Sequence, residues 1–370
     1  MEEGAKPVIQ PPRRIPIHYR EPLKEHLKEM LEQDVIEGLL QEEEAGTWIS
    51  NLMITGKKWD AGDKDNGERR YIRANLDCRP LNEVVYQTHE PIPTVEELRY
   101  KLGGSQSFSK LDMLHCFHQF EIVEKARKLF MFRTPDGLYR YKRLVMGNSP
   151  ASSECHRRVR DMVEGCEGVL QIKDDILVYG REEEHNQRLK KVLERIEESG
   201  CTLRRDKCEF GKSQVTWFVF MFSEEGMASD PEKSAVIKEW PAPKTVKEVK
   251  SLLQTLQFNR VYMGAEKPGE MDYPELTHHL RELTKMKAKF KWMETLEKHL
   301  KIIKDRLCSD RVLVPFDTKR RSRVYCDSSP YRTQATVAQR YEEDGEVRWR
   351  PVANTARSWS EGEQQGAARH

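Results

Sequence analysis

No stretch of this chain approaches the run of about 18 apolar residues that a membrane-spanning helix requires, so no membrane partner is expected. The cysteines, Cys78, Cys116, Cys155, Cys166, Cys201, Cys208, Cys308 and Cys326, include no CxxC pair and follow no secretory leader. That pattern argues against structural zinc and fits a reducing compartment. The expected location is cytoplasmic or nuclear, or inside a particle. An excess of one charge is also missing: 63 Lys and Arg against 61 Asp and Glu leave a formal net charge of +2, which by itself announces no polyanionic partner. No internal repeat is visible, which excludes solenoid and propeller architectures.

What is present is length and periodicity. A chain of 370 residues exceeds what one hydrophobic core organises, so two or three domains are expected. Hydrophobic residues at 37% and charged residues at 34% describe a polar but foldable chain. Basic clusters such as Arg157, Arg158 and Arg160, or Arg204, Arg205 and Lys207, alternate with acidic runs and read as solvated helix faces. Cys116 with His115 and His118 makes a conceivable ligand trio, but it lacks a convergent fourth partner.

Residues 1–20 are proline-rich and read as an extended, weakly ordered leader. Leu23, Leu27, Met30, Leu31 and Ile36 mark one face of a helix over 21–37, ending near Gly38. Strands over 48–55 and 70–76 form a hairpin across the polar segment 57–68. Thr94 and Glu97 spell a capping box for a helix ending at Gly103-Gly104. The strand 107–111 then leads into Asp112. A hairpin around Thr134-Pro135-Asp136-Gly137, a helix over 150–164, a long amphipathic helix over 182–199 and an unbroken strand over 217–222 complete the first part. Trp240-Pro241-Ala242-Pro243 marks a composition shift, followed by helices over 246–262 and 293–307 joined by charged linkers. A last segment opens with the strand Arg323–Cys326 leading into Asp327.

Asp174 and Asp175 would face opposite ways inside a regular strand, so they act together only at a turn. The strand-like runs 169–172 and 176–179 make them a hairpin tip. Taken alone the pair is a weak signal, because Asp is common in turns. With Asp112 it supplies three hard oxygen donors, a set suited to magnesium and to two ions about 3.5–4 Å apart that stabilise an in-line phosphoryl transfer.

The run Phe108-Ser109-Lys110-Leu111-Asp112-Met113-Leu114-His115-Cys116-Phe117-His118-Gln119 resembles the FSKLDL…FHQ motif of gypsy-like long-terminal-repeat retrotransposon reverse transcriptases. In the same order, Leu76–Asn82 resembles VDYRPLN, Gly137–Leu144 resembles GLYRYKRL, Asp174–Val178 resembles DDILV, and Lys207–Phe210 resembles KCEF. The likeness runs from about residue 15 to 365. It implies an α+β right-hand polymerase with fingers, palm and thumb, a connection segment and an incomplete ribonuclease H-like α/β start. The implied divisions are a leader (1–20), fingers and palm (21–180), end of palm, primer grip and start of thumb (181–240), thumb and connection (241–322), and the ribonuclease H-like start (323–370).

Through the resemblance, Asp112, Asp174 and Asp175 become catalytic ligands of two Mg2+ ions, for which Mn2+ can substitute. Arg73 grips the triphosphate, Phe117 is the steric gate under the sugar, and Met146 lines the nucleotide site. Phe218, Val219, Phe220 and Met221 stand at the primer grip. The implied partners are an RNA or DNA template with its primer and dNTPs, with a homodimer as a further expectation. The implied activity is RNA-directed DNA polymerisation in the cytoplasm, the nucleus or a retroelement particle.

Three departures from the family pattern motivate an alternative, a degenerate or domesticated copy that binds nucleic acid without catalysis. Lys173 precedes Asp174, Phe220 replaces the glycine of the grip, and Met146-Gly147-Asn148-Ser149-Pro150-Ala151 is two residues short. Asp327 matches the first ribonuclease H carboxylate, whose partners would fall at or beyond His370, so ribonuclease H activity is expected to be absent.

Overall fold

The computed structural model describes the chain except residues 1, 3, 40–46, 57–71, 89, 219, 263–270, 272, 287, 309–311, 330–331, 344 and 359–370. From the N-terminus come helix α1 (Ile17–Glu32), strands β1 (Ile36–Leu39), β2 (Ile49–Ser50), β3 (Leu52–Gly56) and β4 (Ile72–Leu76), the short helix α2 (Arg79–Asn82) and helix α3 (Val95–Leu102). Strand β5 (Ser107–Asp112), short helix α4 (Glu124–Arg127), strands β6 (Met131–Thr134) and β7 (Gly137–Tyr141) and helix α5 (Ser149–Met162) follow. The middle holds β8 (Val169–Ile172), β9 (Asp175–Gly180), α6 (Glu182–Glu198), β10 (Glu209–Lys212), β11 (Gln214–Trp217), β12 (Phe220–Ser223) and β13 (Gly226–Ser229). Helices α7 (Pro231–Lys238), α8 (Val246–Phe258), α9 (Tyr273–Glu282) and α10 (Glu294–Leu307) precede β14 (Val312–Leu313), β15 (Ser322–Ser329), β16 (Arg332–Glu343) and β17 (Glu346–Ser358). The chain divides into two compact units, one of residues 1–92, 110–178 and 187–209, the other of residues 93–109, 179–186 and 210–370.

In the first unit, α1 buries Leu23, Leu27 and Met30, one stripe at helical spacing. The helix is shorter than its apolar spacing predicts. Asp34 takes a left-handed backbone, φ 55°, which ends the helical ladder, so Ile36 and Gly38 lie in β1, paired with β7. β1, β7, β6 and β2 form one sheet, and β3 pairs antiparallel with β4. The segment joining β3 to β4, residues 57–71, lies outside the described residues. Phe132, Tyr141, Leu76, Leu81 and Trp48 pack with the α1 stripe into one apolar core.

The leader is tied down rather than loose. Ile9 bridges Ile49 in parallel, the Gln10 amide donates to Asp77 O at 3.1 Å, and Arg13 reaches the Asp77 carboxylate at 3.1 Å. Proline spacing carries no trace of these side-chain bonds, which is why composition alone suggests disorder.

In the second unit, Thr94 and Glu97 make both bonds of the capping box on α3. Strands β11, β12, β13 and β14 form an antiparallel sheet around the fully buried Trp217. The apolar run 217–222 is not one strand. Trp217 pairs with Phe220 and Phe218 adopts φ 60°, so the run folds back as a hairpin whose arms carry the buried Trp217, Phe220 and Phe222. A period-two pattern cannot distinguish that from a straight strand. Helix α9 occupies a stretch that reads as charged linker; it buries Tyr273, Leu276 and Leu280, an apolar stripe diluted by His278, His279 and Arg281. β15, β16 and β17 form a three-stranded antiparallel sheet.

Candidate active site

The four strands β10, β5, β9 and β8 lie side by side in that order. Phe108 and Leu111 of β5 and Ile176, Leu177 and Val178 of β9 are fully buried, which anchors this sheet and leaves its strand ends for chemistry. Asp112 ends β5, and Asp175 begins the neighbouring β9. Ile172 pairs with Asp175, so Lys173-Asp174 is a two-residue hairpin tip. Such tips favour positive φ, and Lys173 takes φ 59°. The flanking apolar runs form the expected hairpin, but its tip is Lys173-Asp174 and not Asp174-Asp175, because Asp175 already pairs with Ile172 in the ladder.

The main chain of Asp112 is held on both sides by the segment that carries Lys207 and Cys208. Its N–H donates to Cys208 Sγ at 3.4 Å, and its C=O accepts the Arg204 N–H at 2.8 Å. Gln119 braces the start of that segment: its Nε2 donates to Thr202 O at 3.0 Å and its Oε1 accepts the Thr202 N–H at 2.7 Å. Burial raises the Asp112 carboxyl above its ordinary value, with Lys207 and Arg204 opposing and Asp174 adding to the rise. Burial also raises Asp175; Lys110 opposes, and the charges of Asp174 and Asp112 add to it. The charge of Asp174 thus acts on both Asp112 and Asp175 at the sheet end.

Whether they suit magnesium can be judged from the donors. Two partly buried carboxylates, Asp112 and Asp175, each repelled by a carboxylate neighbour, beside the exposed Asp174 are what a hard dication stabilises. Among the described residues no three Asp, Glu, His or Cys side chains stand close enough to hold one ion. The fit is one of donor chemistry and shared location, with the carboxylates not drawn into a ligand shell. The trio of Cys116, His115 and His118 does not converge either: Cys116 Sγ faces Cys155 Sγ at 2.8 Å.

The remaining candidates divide between the two units. Arg73 is exposed on β4, opposite Thr55. Phe117 is half-buried in the 3-10 turn Cys116–Gln119, entered through His115 at φ 47°. Met146 is 45% exposed in a loop gripped by Asn82, whose Nδ2 donates to Gly147 O at 2.8 Å and whose Oδ1 accepts the Ser149 N–H at 2.9 Å. Gly147 sits at φ +98°, and a Cβ there would come within 3.0 Å of Leu76 O. The short loop is thus a fixed turn whose glycine is required.

In the second unit, Phe218 is exposed at the hairpin tip and Met221 half-buried on β12; Val219 lies outside the described residues. Phe220 is 3% exposed and packs near Phe222 and Tyr262 at ring distances of 6.4 and 6.1 Å. The left-handed backbone falls on Phe218, so Phe220 is an extended strand residue and its side chain is core. Asp327 lies in β15 opposite Gln334, its side chain outside the described set.

Several residues of the site carry no sequence signal. His156 accepts the Lys173 N–H at its Nδ1, 3.1 Å away, and Gln171 donates to Lys173 O. The buried Asp77 carboxylate receives Arg79 Nε and NH2 at 2.8 and 2.7 Å. Only Asp77, Arg79 and Asn82 lie in a motif, and the motif does not say whom they touch. Arg157, Arg158 and Arg160 pair with Glu154, Asp161 and Glu90, as solvated helix residues do.

Comparison with known proteins gives two family matches: residues 61–222 match "Reverse transcriptase (RNA-dependent DNA polymerase)", and residues 292–370 match "RNase H-like domain found in reverse transcriptase". The Transposon Tf2-3 polyprotein of Schizosaccharomyces pombe is 29% identical over 276 residues, 74% of this chain and 20% of that protein, and the Tf2-7 polyprotein is 28% identical over the same length. The chain therefore spans about a fifth of the length of these curated relatives. Among solved structures, a foamy viral protease-reverse transcriptase in complex with double-stranded DNA has a TM-score of 0.79 at 19% identity, covering 98% of this chain and 59% of that one. The foamy viral protein with an RNA/DNA hybrid has a TM-score of 0.74 at 20% identity, covering 98% and 46%. At that identity the likeness establishes the fold, an α+β right-hand polymerase.

Proposed function

The chain belongs to the reverse transcriptase family, and on that premise we propose that it is an RNA-directed DNA polymerase of a retrotransposon, extending a primer on an RNA or DNA template with dNTPs. The observation that carries the reading is the placement of Asp112, Asp174 and Asp175 at one end of a buried sheet, where Asp112 senses the charge of Asp174 and Asp175 senses those of Asp174 and Asp112. These carboxylates would hold Mg2+, or Mn2+ in its place, which when bound lowers the pKa of a primer 3′-hydroxyl and neutralises charge on a triphosphate.

The protein's own part is placement. Arg73 offers a planar donor fork to phosphate oxygens, Phe117 is the aromatic steric gate under the sugar, and the Asn82-braced loop at Met146 shapes the nucleotide site. Lys110, Lys207 and Arg204 temper the carboxylate charge. Phe218 to Met221 form the primer grip, and residues 21–180, 181–240 and 241–322 serve as fingers with palm, grip with start of thumb, and thumb with connection.

Primer extension on poly-rA with oligo-dT tests this reading. Incorporation in magnesium or manganese above an Asp174→Ala control is expected; none above that control would sink it. The second reading, nucleic-acid binding without catalysis, is favoured by the exposed Lys173 beside Asp174. It predicts salt-dependent binding of primer-template with no extension.

A further inference from the structure

The turn that carries Asp174 and Asp175 is held by side chains on both faces of one peptide position. Lys173 is in the left-handed region, φ 59°, a conformation that a residue with a Cβ keeps only when its surroundings over-determine it. Its N–H donates to His156 Nδ1 at 3.1 Å, and its C=O accepts from Gln171 Nε2. His156 and Gln171 are 5% and 9% exposed. His156 lies on the buried face of α5 with Cys155 and Val159, so its acceptor is presented from a regular helix.

An imidazole nitrogen accepts a backbone N–H only when it carries no proton, which requires a neutral ring with its proton on Nε2. Burial lowers the basicity of His156; Glu90 opposes that, while Arg160 and Lys173 reinforce it. The protonation state the bond demands is therefore the one the site favours.

We propose that His156 is a positioning residue for polymerisation: its unprotonated Nδ1 fixes the left-handed backbone at Lys173 and so sets the direction of the Asp174 and Asp175 carboxylates. This deepens the polymerase reading and rests on it for its kinetic consequence, but the clamp itself is a structural claim with its own readout.

Three substitutions separate the possibilities. Asn places an amide oxygen at the level of His Nδ1, so His156→Asn keeps an acceptor. His156→Gln moves it to the level of Nε2, and His156→Leu removes it. Hydrogen exchange of the Lys173 amide in the full chain is expected to be about 10-fold faster in His156→Leu and His156→Gln than in the wild type, and restored in His156→Asn. In primer extension, kcat is expected to fall about 10- to 100-fold in His156→Leu and His156→Gln with KM for dNTP nearly unchanged, because a misdirected ligand affects the chemical step more than binding. His156→Asn should recover most of the loss.

Equal Lys173 exchange in wild type and His156→Leu overturns the proposal. So does a loss expressed in KM alone, or a failure of His156→Asn to restore exchange. If His156→Leu does not fold, the comparison of His156→Asn with His156→Gln decides the matter. If the wild type incorporates nothing, the polymerase reading fails, and the exchange measurement still upholds or overturns the clamp.

Discussion

Replacing Asp77 by Ala tests whether the bonds around this residue stabilise the unit that holds Asp112, Asp174 and Asp175. Its carboxylate is 1% exposed and receives Arg79 through two bonds and Arg13 through one, while the two arginine side chains are 70% and 49% exposed. Hydrogen bonds to a charged acceptor contribute about 1.5–3 kcal/mol, and removing one partner of a fully buried pair costs about 3–5 kcal/mol because a charge is stranded. No charge is stranded here, since both guanidiniums return to water. Exposed pairs contribute only about 0–1 kcal/mol. The expected cost of Asp77→Ala is therefore about 1–2 kcal/mol, a drop in Tm of roughly 3–6 °C for a unit of this size.

The dependence on pH has a definite sign. The Arg79 hydrogen bond holds the Asp77 carboxyl below its ordinary value, with the charge of Arg13 acting the same way. A depressed acid stabilises above its unfolded pKa of about 3.9 and loses that contribution as pH falls through the folded value. The Tm difference between wild type and Asp77→Ala should be full at neutral pH and shrink below about pH 4. Arg13→Ala, which leaves the two Arg79 bonds in place, should cost less than half as much. Thermal melts of the three proteins across that range decide the matter. Equal Tm values at neutral pH, or a difference that persists undiminished in acid, would refute the reasoning.

Burial depresses His118 to about 4, with His115 and His26 adding to the effect. The unfolded chain then binds more protons below about pH 6.5, so stability should fall by up to about 3 kcal/mol between that pH and 4; a His118→Asn variant with the same pH slope in denaturant titrations would count against this. Gly147→Ala should destabilise by about 1–2 kcal/mol, since φ +98° disfavours a Cβ, and should weaken dNTP binding in steady-state kinetics. Unchanged Tm and KM would mean that the loop is not fixed by Gly147. Mg2+ at about ten times its Kd should stabilise the wild type by about 1.4 kcal/mol and Asp175→Asn by less, as read by thermal shift. An identical response in both proteins would remove Asp175 from the ion's ligands.

Much of the site was legible in the chain because its residues sit inside contiguous motifs. Asp112 ends a strand that buries Phe108 and Leu111, and Asp174-Asp175 interrupts two apolar runs where a hairpin turns. The capping box at Thr94 and Glu97 was legible for the same reason, since cap and partner lie three residues apart. Three of the corrected expectations turn on geometry. The first helix ends before Ile36 because Asp34 turns left-handed, the run 217–222 folds into two strands at Phe218, and the leader is bonded to Asn51 and Asp77. Each correction depends on a backbone angle or a long-range partner.

The sequence by itself carried the resemblance to reverse transcriptases, the order of most strands and helices around the three aspartates, and the donor types at the candidate site, because local periodicity and short motifs are written in neighbouring residues. Only the tertiary structure decided what supports them. His156 and Lys173 are 17 residues apart, Asn82 and Gly147 are 65 apart, and Arg13 and Asp77 are 64 apart. Each pair meets through chain reversals that no window along the sequence contains. A hydrogen bond depends on where two groups stand in space, and residue type fixes only what each can donate or accept.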